Sequence, residues 1–267
     1  MTQTQQEQLP KNLTLHVGNE ASLLERPDHS TQQTELVLAP VELHRRNIQR
    51  RLRESQTPKT SFQFSDPTTV GKQLLDVAGL PTTTVDRIDR LSMIRSILSD
   101  EDVSIASPVV PSEPQSVEQI RTEIEAVTGF HPGRLNIVQD VVGGLQAPIN
   151  ADGAELLDAA VSIEQALRQV TSTSTSVSDV AFVRRAAREL LATDGAIWED
   201  AFPDVERVSL VGVSSVPAAY IDLLHAVLAS VAVPVHVHFR RGTGSYLTQR
   251  ASELFDVASP GMVVFES

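Results

Sequence analysis

Apolar and polar positions alternate over 13–17 (LTLHV) and the apolar ones cluster over 35–39 (ELVLA). Both patterns predict strands. Pro40 bounds the second, and VELHRRNIQRRLRES then takes a helical spacing. KTSFQFS, residues 59–65, alternates Phe62 and Phe64 and predicts a third strand. Asp66 before Pro67 is a helix start, a capping carboxylate followed by a residue whose missing N–H has no partner to lose. That helix is predicted to end near Gly79. The first 80 residues therefore read β, β, α, β, α, an α/β pattern.

The texture changes from about residue 83 to 200, where helices dominate. TTTVDRIDRLSMIRSILSD spaces Val85, Ile88, Leu91, Ile94 and Leu98 as one helical stripe. SIASPVVPSEPQ is a proline-bearing loop, and SVEQIRTEIEAVTGF a helix with Ser116 placed to cap it and Gln119 three residues on. Residues 134–146 and 152–170 read as helices, TSTSTSVSD as a low-complexity loop ending in a cap, and DVAFVRRAARELLAT as another helix. The α/β texture returns with a strand over 205–213, the apolar helix VPAAYIDLLHAVLASVA, the strand VPVHVHFR, a helix over SYLTQRASELFDVA and a last strand in GMVVFES. Short connections between strand, helix and strand imply parallel pairing. The organisation expected is a disordered lead-in over 1–11, an α/β part over 12–82, a helical insertion over 83–200 and a second α/β part over 201–267.

Charge adds a constraint. The net charge is −12, and the only lysines are Lys11, Lys59 and Lys72. A carboxylate-rich, lysine-poor surface stays hydrated when salt screens charge over a few ångströms, so the composition resembles that of salt-loving archaeal proteins. It also argues against a DNA grip that depends on a broadly basic face. There is no cysteine, which excludes disulfides and thiolate–metal sites. No apolar run approaches the roughly 20 residues of a bilayer span, and the polar start MTQTQQEQLPKN predicts neither signal peptide nor anchor, so a cytoplasmic location is expected.

Three segments carry a family resemblance. The first strand and its glycine lead to ELVLAPVELHRRNIQRRLRE, TTTVDRIDRLSMIRSIL follows, and WEDAFPDVERVSLVGVSSVPAAYIDLLHAVLASVAVPVHVHFRR comes later. Together they resemble the first motor-like domain of UvrD/RecB helicases, and more closely the N-terminal half of AddB-type helicase–nuclease subunits. The resemblance covers about residues 13–257. It implies a parallel P-loop-NTPase-like (RecA-like) sheet with a large all-helical insertion. It also implies a role beside a helicase or nuclease subunit in DNA repair or recombination, with weak or indirect DNA contact.

The catalytic parts of such a motor are missing. A phosphate loop needs backbone amides, a Lys and a Ser/Thr around the β/γ-phosphates. After Gly18 the chain has Asn19, Glu20, Ala21, Ser22 and Leu23, and Glu20 would repel phosphate. The strand over 207–213 closes as SLVGVSS, with no acidic residue to face magnesium. No catalytic residue, cofactor or metal is therefore expected, and Gly18 marks a degenerate nucleotide position. The sequence ends at Ser267, and no second motor or nuclease domain is expected from it.

The residues expected to make contacts are basic. RRNIQRRLR places Arg46, Arg50 and Arg53 on one helix face with Arg45 about a quarter-turn away, opposite an apolar side of Val41, Leu43, Ile48 and Leu52. That face is either a nucleic-acid or partner contact or a solvated surface. Arg240 and Arg241 follow a strand and are expected at the carboxyl edge of the sheet. Gly212-Val213-Ser214 has the outline of a nucleophile elbow, but Val216 replaces its last glycine, and a capping role for Ser214 or Ser215 is the alternative. His236 and His238 share a sheet face without further ligands in a motif. Asp86, Asp89, Asp100, Glu101 and Asp102 are assigned no role, and Trp198 is assigned to packing.

Overall fold

The computed structural model describes residues 11–18, 20–24, 34–55, 59–99, 109–171, 175–242 and 262–265. The expected lead-in, apart from Lys11, lies outside these residues, as do the expected helix over 245–258 and Asp100, Glu101 and Asp102. The chain forms two compact units. Unit 1 comprises Met1–Gly79, Arg185–Val216 and Tyr220–Ser267, and unit 2 comprises Leu80–Arg184 with Pro217–Ala219.

Unit 1 is built on a parallel sheet. Its strands are β1 (Leu13–Gly18), β2 (Glu35–Leu38), β3 (Phe62–Ser65), β6 (Arg207–Val213), β7 (Val235–Arg240) and β8 (Met262–Phe265), in the spatial order β3-β2-β6-β7-β1-β8. Every pairing is parallel. β2 is buried at all positions, as a strand covered on both faces must be. The helix α2 (Glu42–Glu54) seals one face by setting Ile48 and Leu52 against Val37, Ala39, Phe62 and Val211. Pro67 opens α3 (Pro67–Val77), where Asp66 Oδ1 accepts from the amides of Thr68 and Thr69, both at 3.0 Å. The cap is the one expected; the third strand is shorter than expected, because Lys59–Ser61 forms a 3-10 turn. α10 (Ala218–Ser230) buries Ile221, Leu223, Leu224, Ala226 and Val227, which accounts for its apolar sequence.

Two readings of unit 1 are corrected. Leu43 is 68% exposed and Val41 52% exposed, so they do not share the buried side of α2. Val41 precedes the helix, and at about 100° per residue Leu43 lies roughly 140° from Ile48. The residues that do share the inner side with Ile48 and Leu52 are His44 and Arg51. Gly212 lies inside β6, within the strand expected over 205–213, and not in the turn that a nucleophile elbow would need. There the pairing with β7 slips between Leu210 and Val213, and Gly212 takes φ +73 in the resulting bulge.

Unit 2 contains α4 (Arg87–Leu98), α5 (Pro114–Thr128), α6 (Pro132–Gly143) and α7 (Ile149–Val170). A two-strand bridge, β4 (Thr83–Thr84) with β5 (Thr175–Ser176), ties its ends; the sequence pattern gives no sign of it. Ile94, Ile97, Val117, Ile163, Leu167 and Val177 form the apolar core. Val85 precedes α4 and Ile88 is 78% exposed, so the expected stripe loses its first two members, while Ile94 is buried, Leu98 packs against the core and Ile97 joins them. Asp86 supplies the cap, accepting from the amides of Ile88 at 2.7 Å and Asp89 at 2.9 Å. α5 starts at Pro114 after Glu113, so Ser116 is not its cap.

The second organiser of unit 2 is ionic. Arg121 is fully buried, with Nε 2.7 Å from Glu118, Nη1 2.8 Å from Glu164 and Nη2 3.1 Å from Glu125. Arg90 bonds Glu118 and reaches the carbonyls of Val85 and Val177, each at 2.9 Å. Arg168 closes on Glu164 at 2.7 Å, and Ser178 donates to Glu125. Burial alone would lower the Arg121 pKa, but its three carboxylates reverse that and raise it. Desolvation holds the Glu164 carboxyl above its ordinary value. Replacing Arg121 by Ala strands three buried carboxylates together. It should cost about 3–5 kcal/mol of unit 2 stability in denaturant titrations followed by circular dichroism. A loss within experimental error would mean that the apolar core alone holds these helices.

Candidate functional site

Open parallel sheets bind ligands outside the carboxyl ends of their strands. In unit 1 that edge gathers the end of β1, the start of α2 and the end of β6. β1 ends at Gly18, beside Arg240 in the register of β7. Glu20 follows in the left-handed region at φ +55, and its carbonyl accepts from the Leu23 amide at 3.1 Å. The single helical turn α1 (Ala21–Leu24) then sends Leu23 into the core.

This turn delivers a buried carboxylate. Glu20 is 6% exposed, and Arg51 Nη1 donates to its Oε2 at 2.8 Å. His44 Nε2 stands 3.2 Å from Oε1, within ion-pair distance though outside hydrogen-bonding geometry. Burial raises the Glu20 pKa, but His44 and Arg51 outweigh it and hold the carboxyl below its ordinary range. The carboxylate is thus ionised and internally compensated.

Gly212 completes the arrangement. A Cβ built on it would meet His44 Cδ2 at 2.0 Å and Nε2 at 2.2 Å. Both this overlap and φ +73 exclude other residues there. The bulge in β6 therefore makes room for the imidazole that faces Glu20. Chemically, the cluster holds one anion between a guanidinium and an imidazole, and that anion belongs to the chain itself.

The other expected residues are dispersed. Arg45 and Arg46 both pair with Glu42, Arg46 at 2.9 Å, and Arg50 stands 3.8 Å from Glu54. Arg53 donates to the Gln49 carbonyl at 3.3 Å. The arginine face of α2 is thus exposed but laced with its own carboxylates. Arg240 lies at the carboxyl edge and Arg241 in the turn after it, both exposed. Ser214 and Ser215 are exposed in the turn after β6, and among the described residues Ser214 has no side-chain hydrogen bond. Trp198 is buried against Phe202, ring centres 4.7 Å apart.

His236 and His238 do share a sheet face, and His16 on β1 joins them. His16 Nε2 is 2.8 Å from His236 Nδ1, its Nδ1 is 3.1 Å from Ser22 Oγ, and its ring stacks on His238 at 4.3 Å. Both nitrogens of His16 are thereby engaged. Among the described residues, no group of three or more His, Asp or Glu side chains is arranged to hold a metal ion.

His44 and Arg51 were not singled out by the sequence. The available signal was their spacing: His44, Ile48, Arg51 and Leu52 fall on i, i+4, i+7 and i+8, one inner stripe of α2. Two polar residues on a stripe that must be buried require a buried partner. Because the folded-state pKa of Glu20 is lowered, its stabilisation is complete above the unfolded value of about 4.3 and is lost as pH falls through the folded value. Glu20→Gln should therefore be less stable than the parent at neutral pH, with the difference shrinking below about pH 4. Urea titrations across that range check this, and a pH-independent difference would contradict it.

Among the described residues no helix is long and apolar enough to cross a membrane. A search of curated proteins returns no match. A family described as halobacterial UvrD-like proteins matches residues 1–266, nearly every position from the β1 strand to the last strand of the sheet. The chain therefore belongs to the halobacterial UvrD-like protein family.

Proposed function

We propose that this chain is a non-catalytic, helicase-like module whose nucleotide site has been lost. In this reading the parallel sheet of unit 1 is a P-loop-NTPase-like, RecA-like sheet, similar to the N-terminal region of AddB-type subunits. The observation that carries the reading is Glu20, whose buried carboxylate occupies the turn after β1, accepts from Arg51 and stands 3.2 Å from His44 Nε2. A nucleotide there would meet a fixed negative charge. The module acts in the cytoplasm as a scaffold or partner subunit for an active helicase or nuclease in DNA repair or recombination. Family membership supports the helicase-like origin, and the acid-rich, lysine-poor composition suits the halobacterial setting named by the family.

Contact with DNA or with the partner is assigned to the exposed side of α2, through Arg45, Arg46, Arg50 and Arg53, and to Arg240 and Arg241. Pairing with Glu42 and Glu54 makes that face a weak electrostatic surface rather than a strong one. A second reading, an interaction subunit unrelated to DNA, draws on unit 2, which has 15 acidic against 7 basic residues over 80–184 and so repels phosphate backbones. Fluorescence anisotropy with labelled single- and double-stranded DNA separates the two. The first reading expects weak, salt-sensitive binding that drops at least about tenfold when Arg46, Arg50 and Arg53 are changed to Glu. No binding at any salt concentration, or binding indifferent to those changes, favours the second.

A further inference from the structure

One face of the unit 1 sheet carries a row of imidazoles that ends in a hydroxyl. His16 pairs with His238 across β1 and β7, and Thr14 pairs with His236, so the three histidines share a face. His16 is buried, and its ring lies on that of His238, centres 4.3 Å apart and planes 6° from parallel. Its Nε2 is 2.8 Å from His236 Nδ1. The turn after β1 then places Ser22, half-buried in α1, with Oγ 3.1 Å from His16 Nδ1.

The sequence of groups is a hydroxyl, a base and a third side chain that orients the base. With the proton of His16 on Nε2, that nitrogen donates to His236 Nδ1, and Nδ1 of His16 accepts from the Ser22 hydroxyl. One tautomer therefore satisfies both contacts and aims a lone pair at the serine proton. Stacking on His238 holds the plane of the ring, so the base is positioned before any reaction begins. Ser22 also lies in a strand–turn–helix connection at the carboxyl edge of a parallel sheet, where ligands of such folds bind. Charge narrows the ligand. Glu20, two residues earlier, is a buried carboxylate, and the chain carries a net charge of −12. Both oppose an anionic group at this turn, and an uncharged one meets no such repulsion.

We infer that Ser22 is a nucleophile activated by His16, with His236 as the positioning residue, and that it accepts an uncharged acyl group from an activated ester or thioester. In that step a bond forms between Ser22 Oγ and the acyl carbon, and the carbon–oxygen or carbon–sulfur bond of the donor breaks. The serine proton passes to His16 Nδ1 and from there to the leaving alkoxide or thiolate. The inference concerns one covalent event at Ser22 and no nucleotide turnover. It goes beyond the lost-site reading without resting on it, and failure of either leaves the other standing.

The test treats the full chain with an uncharged alkyl fluorophosphonate, which marks activated serines by exchanging fluoride for a stable oxygen–phosphorus bond. Peptide mass spectrometry locates the adduct, and the chain has no cysteine to compete for the reagent. The parent should be labelled at Ser22 and Ser22→Ala should lose that adduct. His16→Gln should slow labelling about 100-fold or more, the usual share of a general base. His236→Phe should slow it about tenfold or more, and His236→Gln, whose amide oxygen still accepts from an N–H, should recover most of that loss. The parent's labelling rate should rise with pH and level off once the imidazole is neutral. That profile needs no variant, so it decides the matter if a substitution alters the circular dichroism melt. A neutral aryl ester should acylate the same residue, with a burst of phenolate on mixing. No adduct at Ser22, a rate that climbs with hydroxide without a plateau, labelling indifferent to His16→Gln, or failure of the ester to acylate Ser22 overturns the inference.

Discussion

A carboxylate buried at the end of a parallel sheet is stable only where cations reach it, and in unit 1 that requirement sets the geometry of the whole edge. Burial raises the Glu20 pKa, and His44 and Arg51 together outweigh it and hold the carboxyl below its ordinary range. Arg51 and His44 can face it only if α2 presents that stripe inward, above Ile48 and Leu52. The imidazole in turn fits only because β6 bulges at a glycine. Three chain segments far apart in sequence are thus fixed by one buried charge. Removing that charge leaves the Arg51 guanidinium without its partner beside the imidazole, and breaking such a pair is costly even when it adds little net stability.

Unit 2 solves the same problem with the signs reversed. There one buried guanidinium collects carboxylates from α5 and α7, while Arg90 collects the carbonyls at the ends of the two-strand bridge. The charge at the centre of each cluster, Glu20 in one and Arg121 in the other, is buried, where bulk salt screens it less than it screens surface pairs. For a chain with a net charge of −12 in a family described as halobacterial, this distinction has physical consequences. The exposed pairs on α2 weaken in concentrated salt, while apolar burial and these enclosed charges persist.

Most of the sheet was legible because buried parallel strands leave apolar runs and because short connections fix their direction. The cap at Asp66 was legible because its signal is local, contained within three residues. What was not legible depends on distance along the chain. Arg51 finds Glu20 across 31 residues and Arg121 finds Glu164 across 43, and no local pattern announces either pairing. Leu43 and Ile88 misled because apolar character was taken for burial, although exposed single apolar residues are ordinary. At the candidate site, the missing glycine-rich loop and the acidic Glu20 were readable. That the carboxylate turns inward and takes up Arg51 and His44 was not, since it depends on the left-handed turn at Glu20 and the bulge at Gly212.

The central claim is that the chain's own carboxylate stands where a nucleotide phosphate would need to be held. Isothermal titration calorimetry of ATP into the full chain, in molar KCl with and without magnesium, tests it most directly. The account predicts no binding heat in either condition. Saturable, magnesium-dependent heat would contradict it and would mean that Glu20 yields its place, with the phosphates held by groups such as Arg240 and Arg241 at the same edge of the sheet.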